Sequence, residues 1–314
     1  MGIIAICNHK RGEKFRYKEK KHETMLQFFQ KVSLMIDKEA YLIERLSSHY
    51  IGDDAAVVGS MLYSMDAFFE DIHFKKEWMS VEQIGRKAML VNLSDAIAMN
   101  AKPLYALVTL SLPEWISTQE IDRLSRSLEE TAQEYGCEII GGDTIGGDKL
   151  HLSITIISTT HTPLLRKGLQ EGSLLAYTGT LGESKRDLEA LFKGESIDKT
   201  SRFYQPTLRQ AFISKAGRLL EAGMDISDGL FCDTNKLLAS NHPLFGVELL
   251  SLIDAEVGES GEEYEMLIAF SPEMREQIEH IAKKTQTPLT VFAKVSLKGK
   301  QFPCKSHHFK EKVS

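Results

Sequence analysis

The chain has no excess of positive charge: 38 Lys and Arg stand against 44 Asp and Glu, for a formal net charge of −6. Such a balance offers no broad positive field to nucleic acid or to an anionic membrane. Cysteine is scarce as well. Cys7, Cys137, Cys232 and Cys304 show no CxxC spacing, which argues against a zinc cluster or a disulfide scaffold and fits a reducing compartment. With only 22 Gly and 8 Pro, collagen-like and low-complexity chains are excluded. No apolar run approaches the roughly 20 residues of a membrane span. The opening MGIIAICNHKRGEKFRYKEKKHE places a short apolar run ahead of its basic stretch, the reverse of a signal peptide. Together these features predict a cytoplasmic protein with no nucleic-acid or membrane partner.

What is present is enough for a large core: 42 % of the 314 residues are hydrophobic. That length is about twice a domain of roughly 150 residues, so two domains are expected. Residues 1–24 are dense in charge and read as a solvated tail without a catalytic role. Residues 25–160 form the first expected domain and residues 161–314 the second, divided at an aperiodic stretch around Pro163. Apolar spacing predicts helices over Ser80–Met99, from Thr118 as N-cap to Tyr135, and over Phe212–Ala222. Strands are predicted at Ala55–Val58, Met61–Met65, Tyr105–Leu112, Glu138–Ile140, Leu150–Thr159 and Leu174–Thr178. This alternation gives a mixed α/β and α+β fold class.

The informative residues are aspartates at the ends of these elements: Asp53 and Asp54, Asp66, Asp95, Asp143, and Asp225 with Asp228. One such aspartate is ordinarily a helix cap or a turn residue. Five clusters embedded in apolar sequence, with few Lys or Arg nearby, demand counter-charge. Hard divalent cations such as Mg²⁺ suit all-oxygen ligation and share their remaining positions with phosphates. The glycines Gly141-Gly142 and Gly146-Gly147 around Asp143 let backbone N–H groups approach anionic oxygens. No P-loop and no protein-kinase motif occurs.

The ordered set IGDDAAVV (51–58), MDAFFEDIHF (65–74), NLSDAIAMNAKP (92–103), IIGGDT (139–144), YTGTLGESK (177–185) and MDISDGL (224–230) resembles the thiamine-monophosphate kinases, of the superfamily that includes aminoimidazole ribonucleotide synthetase. The resemblance implies a two-domain architecture of that superfamily, with N-terminal sheets pairing across a homodimer and a C-terminal α/β domain beside each. It implies phosphorylation of thiamine monophosphate to thiamine diphosphate by ATP, with several Mg²⁺ ions and direct in-line transfer. Carried over by motif position, Asp53, Ser64, Asp66, Asp95, Asp143, Asp225 and Asp228 are the implied metal ligands. Gly142, Asp143, Arg166 and Ser227 fall at ATP, and His73 and Glu262 at the thiamine phosphate. Met65 stands where the family has Thr. The family's C-terminal Gly-aromatic-Asp-His-Phe reads Lys305-Ser306-His307-His308-Phe309, leaving Phe309 as the residue expected to cover the thiamine ring. The competing enzyme reading is a related ATP-using synthetase that forms an acyl- or imidoyl-phosphate; the non-enzymatic one is an acidic metal-binding scaffold.

Overall fold

The computed structural model describes residues 38–304; the tail over 1–24 and Phe309 lie outside the described residues. A short helix, α1 (Lys38–Arg45), belongs to one compact unit, and residues 49–305 form another. The larger unit carries two five-stranded sheets.

Sheet 1 comes from β1 (Ala56–Val58), β2 (Met61–Phe69), β3 (Lys102–Pro113), β4 (Glu138–Gly147) and β5 (His151–Thr159), in the order β1-β2-β5-β3-β4. Only β3 and β4 run parallel; α3 (Thr118–Glu134) makes the crossover between them. Strand alternation divides the sheet into two faces. Leu62, Phe68, Ile154, Ile156, Ala106 and Val108 are buried, while Tyr63, Met65, Tyr105 and Leu107 are exposed. Register sets those exposed side chains in rows, with Tyr63 and Tyr105 flanking Ile157, and Met65 and Leu107 flanking Thr155.

The buried face packs on α2 (Val81–Ala98), which begins at a reciprocal capping box between Ser80 and Gln83. Most of its 18 residues are buried, so it is enclosed rather than a one-faced surface helix. Its far side meets elements of sheet 2, including β7 (Ala222–Asp225) and α5 (Gln210–Ala216).

Sheet 2 orders its strands β7-β9-β6-β10-β8, with β6 (Leu174–Thr178), β8 (Gly246–Leu249), β9 (Met266–Phe270) and β10 (Leu289–Ser296), all paired antiparallel. Helices α4 (Glu183–Phe192), α6 (Leu230–Ala239), α7 (Ala255–Gly258) and α8 (Arg275–Lys284) accompany it. At the entrance to β9, fully buried Glu265 accepts bonds from Arg209 Nε at 2.7 Å, Arg209 Nη2 at 2.5 Å and Thr178 Oγ1 at 2.6 Å. Arg202 Nη1 stands 2.7 Å from the same carboxylate.

Four local expectations need correction. β2 continues past Met65 to Phe69, because its full length pairs with β5. β4 runs through Gly141–Gly147, where a loop was expected, because backbone pairing with β3 tolerates glycine along an edge. Ser117, not Thr118, caps α3, bonding Glu120 N–H and receiving the Glu120 side chain in return. The helix expected over Phe212–Ala222 ends at Ala216, and Ala222 already belongs to β7, paired with β9. The cysteine reading also missed a bridge. Cys232 and Cys304, 72 residues apart in sequence, are disulfide-bonded with Cα atoms 5.2 Å apart. Asn235 and Phe302 hold the same C-terminal segment by two hydrogen bonds of 2.8 and 3.0 Å, and Phe231 stacks on Phe302.

Candidate active site

Gly52 takes a φ of 137° just before β1, in the region that favours glycine, and Asp53 and Asp54 follow it. Arg166 binds both aspartates. Its backbone N–H donates to Asp53 Oδ1 at 2.7 Å, and its guanidinium donates to Asp54 Oδ1 through Nε at 2.9 Å and Nη2 at 2.5 Å. The Asp54 side chain is 1 % exposed, and its Oδ2 finds no hydrogen-bond partner. Burial raises its pKa in spite of Arg166.

Helix α2 brings the next groups together. Asn92 is tied to the Ala88 carbonyl at 2.9 Å and accepts the Asp66 backbone N–H at 2.8 Å, which fixes β2 against the helix. Ser94 donates its hydroxyl to Asp225 Oδ2 at 2.6 Å, at the end of β7. Asp95, one residue on, has its pKa pushed well up by burial first, and then by Asp66, Asp225 and Asp54. Asp225 is pushed well up by burial and then by Asp54. Asp54, Asp66, Asp95 and Asp225 thus form one electrostatic cluster from four separate chain segments.

Asp228 and Ser227 belong to a second arrangement. Both backbone N–H groups donate to Asp233 Oδ2, at 2.9 and 3.0 Å, and Lys236 pairs with Asp228 and with Asp233. Asp233, fully buried in the first turn of α6, has its pKa raised to about 6, by burial first. At the acceptor end, His73 Nδ1 accepts the Phe69 N–H at 2.9 Å, which puts the imidazole hydrogen on Nε2. Glu262 N–H donates to the Ser227 carbonyl at 2.8 Å, so the backbone that carries this side chain is tied to the Asp225–Asp228 loop.

Asp143 lies outside the buried cluster, exposed on β4 with its Oδ1 accepting the Thr144 N–H at 2.9 Å. Gly142 beside it has a φ of 152°, and a Cβ there would stand 1.7 Å from the Val108 carbonyl oxygen. Strand pairing alone therefore excludes any side chain at that position. Ser64 is buried against α2, its hydroxyl without a hydrogen-bond partner.

Sequence reasoning placed Asp54 in a cluster without assigning it a role and missed Asp233 altogether. For Asp54 the available signal was its direct junction with the apolar run Ala55–Val58; for Asp233 it was an acid in the first turn of a helix, following a glycine. The donor chemistry of the cluster suits a hard divalent cation: all-oxygen, acidic, and with orphaned atoms at Asp54 Oδ2 and Ser64 Oγ. Among the described residues, no three acidic, histidine or cysteine side chains already converge closely enough to hold an ion.

These pKa directions fix a pH dependence. Asp54, Asp95, Asp225 and Asp233 are all raised in the folded chain, so it retains protons that the unfolded chain releases, and stability falls as pH rises through the window. For Asp233 that window runs from the ordinary aspartate value of 3.8 to about 6. In chelator, the melting temperature is expected to drop by about 5 °C between pH 5 and pH 7. Added Mg²⁺ should restore more at pH 7 than at pH 5, since a cation competes with those protons. A flat or rising profile in chelator contradicts the assignment.

The fold agrees with comparisons to known proteins. Residues 52–160 match the family model for AIR synthase related proteins, N-terminal domain. The thiamine-monophosphate kinase of Haemophilus influenzae is 31 % identical over 285 residues, covering 80 % of this chain and 84 % of that protein. The Aquifex aeolicus enzyme of the same name is 32 % identical over 202 residues, 61 % of this chain and 66 % of its own length. Among solved structures, AaThiL complexed with AMPPCP and TMP is similar at a TM-score of 0.71 and 25 % identity, covering 84 % of this chain and 90 % of that one. The fold and the matched N-terminal domain define a member of the aminoimidazole ribonucleotide synthetase-like class. Within it, the chain belongs to the thiamine-monophosphate kinase family.

Proposed function

We propose that this protein transfers the terminal phosphoryl group of ATP to the phosphate of thiamine monophosphate, releasing ADP and thiamine diphosphate. The observation that carries the reading is the cluster of buried Asp54 and Asp225 with half-buried Asp66 and Asp95, which has one guanidinium in contact and is joined through Ser227 to Glu262. Clustered carboxylates in that number suit chemistry on a polyphosphate escorted by cations. We assign Asp53, Ser64, Asp66, Asp95, Asp143, Asp225 and Asp228 to several Mg²⁺ ions, with Asp54 added to the set. Bound there, such ions would neutralise the phosphates and the carboxylates alike.

The chain's own contribution is position. Arg166 holds the Asp53-Asp54 turn, Asn92 holds Asp66, Ser94 holds Asp225, and Asp233 holds the amides of Ser227 and Asp228. ATP would lie along Gly142, Asp143, Arg166 and Ser227; thiamine monophosphate would lie along His73 and Glu262 with Phe309 over its ring. The acceptor phosphate is ionised near pH 7, so attack needs alignment more than a general base, and no phospho-enzyme is required. The domain division at 160/161 is part of this reading, with sheet 1 in the first domain and sheet 2 in the second.

ADP release is the test. Turnover should require both thiamine monophosphate and Mg²⁺ and stop in chelator; ADP release indifferent to thiamine monophosphate, or none at all, overturns the reading. Cytoplasmic residence belongs to the same reading. Among the described residues, no helix is long and apolar enough to cross a membrane.

A homodimer is also proposed, supported by the apolar rows of Tyr63, Met65, Tyr105 and Leu107 on the open face of sheet 1, a face of the kind a partner covers. Sedimentation should give twice the 35.3 kDa chain mass, and Met65→Lys with Leu107→Lys should halve it. A monomeric wild type, or a double variant that stays dimeric, removes this part of the proposal.

A further inference from the structure

Lys87 is the fully buried cation of the molecule's central helix, and nothing in the reaction described above uses it. Burying an ammonium is costly unless it is paired. Its Nζ stands 3.0 Å from Glu262 Oε2, its one polar contact among the described residues, and 4.2 Å from the centre of the Phe203 ring. Glu262 is held from its other oxygen too, where Tyr264 donates its hydroxyl to Oε1 at 2.9 Å. The backbone around the carboxylate is equally constrained, for Glu262 and Tyr264 both adopt positive φ, 58° and 52°.

Two features separate this pair from a plain core ion pair. The Lys87 side chain is wholly enclosed, whereas the Glu262 side chain is 34 % exposed, so the pair lies at the edge of the interior with the cation on its inner side. Burial alone would raise the Glu262 pKa, yet Lys87 and the Tyr264 hydroxyl together outweigh it and the carboxyl is held below its usual range. The second feature is the helix itself. Lys87 is seven residues before Ser94 and eight before Asp95, so all three share one side of α2. At 1.5 Å per residue, the acceptor end and the carboxylate cluster are set roughly 10–12 Å apart along one rigid element.

We propose that Lys87 is a positioning residue for the acceptor: it fixes the orientation and charge of Glu262 from behind and, through α2, sets the distance between the thiamine phosphate and the aspartate cluster. The inference rests on the function proposed above. Lys87 has no exposed surface and does not touch substrate, so its effect passes entirely through Glu262.

The experiment is a double-mutant cycle of Lys87→Met, Glu262→Gln and the double variant, with KM for each substrate, kcat, and melting temperature measured against wild type. Lys87→Met strands a carboxylate without its cation, and is expected to raise KM for thiamine monophosphate about tenfold or more while KM for ATP stays within about twofold. In the Glu262→Gln background, Lys87→Met should add less than about twofold, because the partner it acts through has lost its charge. Should Lys87→Met fail to fold, the double variant removes both charges and Lys87→Arg keeps the cation; near-wild-type acceptor KM is expected of Lys87→Arg. Additive effects in the cycle, or equal losses toward ATP and thiamine monophosphate, overturn the proposal and leave Lys87 a core residue only. A wild type that does not turn over thiamine monophosphate instead overturns the function on which the proposal rests.

Discussion

Asp95→Asn is expected to melt at a higher temperature than wild type in chelator and yet to lose at least about a hundredfold in turnover. The stability gain follows from the cluster: Asp95 is destabilised in its charged form by burial and by Asp66, Asp225 and Asp54, and a neutral isostere escapes all of these. Relief of about 1–2 kcal/mol corresponds to roughly 2–8 °C in a chain of this size. The loss follows from the same fact, because a group that repels its neighbours without a cation is one that recruits a cation. Such opposite movement of stability and activity is expected where a site is organised for charge rather than for packing. Calorimetry in chelator and ADP release in Mg²⁺ check the two halves. A lower melting temperature, or turnover within tenfold of wild type, contradicts the assignment.

The opposite sign is expected at Glu265. This carboxylate is more deeply buried than Asp95, but it carries three bonds from Arg209 and Thr178 and lies 2.7 Å from Arg202 Nη1. Glu265→Gln leaves two guanidiniums, each 14 % exposed, with much of their counter-charge gone. Removing one partner from a buried ion network costs about 3–5 kcal/mol, so a fall of roughly 6–9 °C is expected in melting temperature. Glu263, 3.9 Å from Arg202 Nε, is too distant to take over. A fall of less than about 3 °C would show that the network is not what closes sheet 2. Two carboxylates thus differ in sign according to whether cations from the chain already surround them.

Part of the site was legible in the sequence. The aspartate clusters and the helix after Ser80 follow from local pattern: residue type, apolar spacing, and the caps and turns that bound each element. What was not legible depends on contacts between distant segments. Asp53 and Asp54 are adjacent and alike, and only the path of the turn makes Asp54 the buried one. Arg166, implied at ATP by motif position, also clasps Asp54, 112 residues earlier in the chain. Lys87 sits in a helix whose apolar spacing gives no hint that a lysine is enclosed; its burial depends on Phe203 and Glu262, far along the chain. The glycine run in β4 misleads for a different reason. Glycine is poor in strands on average, but where Val108 leaves no room for a Cβ, only glycine lets the strand continue.

The enclosed helix α2 also governs how the molecule comes apart. Its residues belong both to the core beneath sheet 1 and, through Ala98, to the core beside α5 and β9. Ser94 and Lys87 add polar ties to Asp225 and Glu262 across the same boundary. Neither half can shed the helix without exposing apolar surface and stranding a buried charge. Two sheets that are modules in topology are therefore not autonomous in folding. Denaturation should be cooperative across 49–304, and separating the chain at 160/161 would yield fragments that each lack one side of a shared interior.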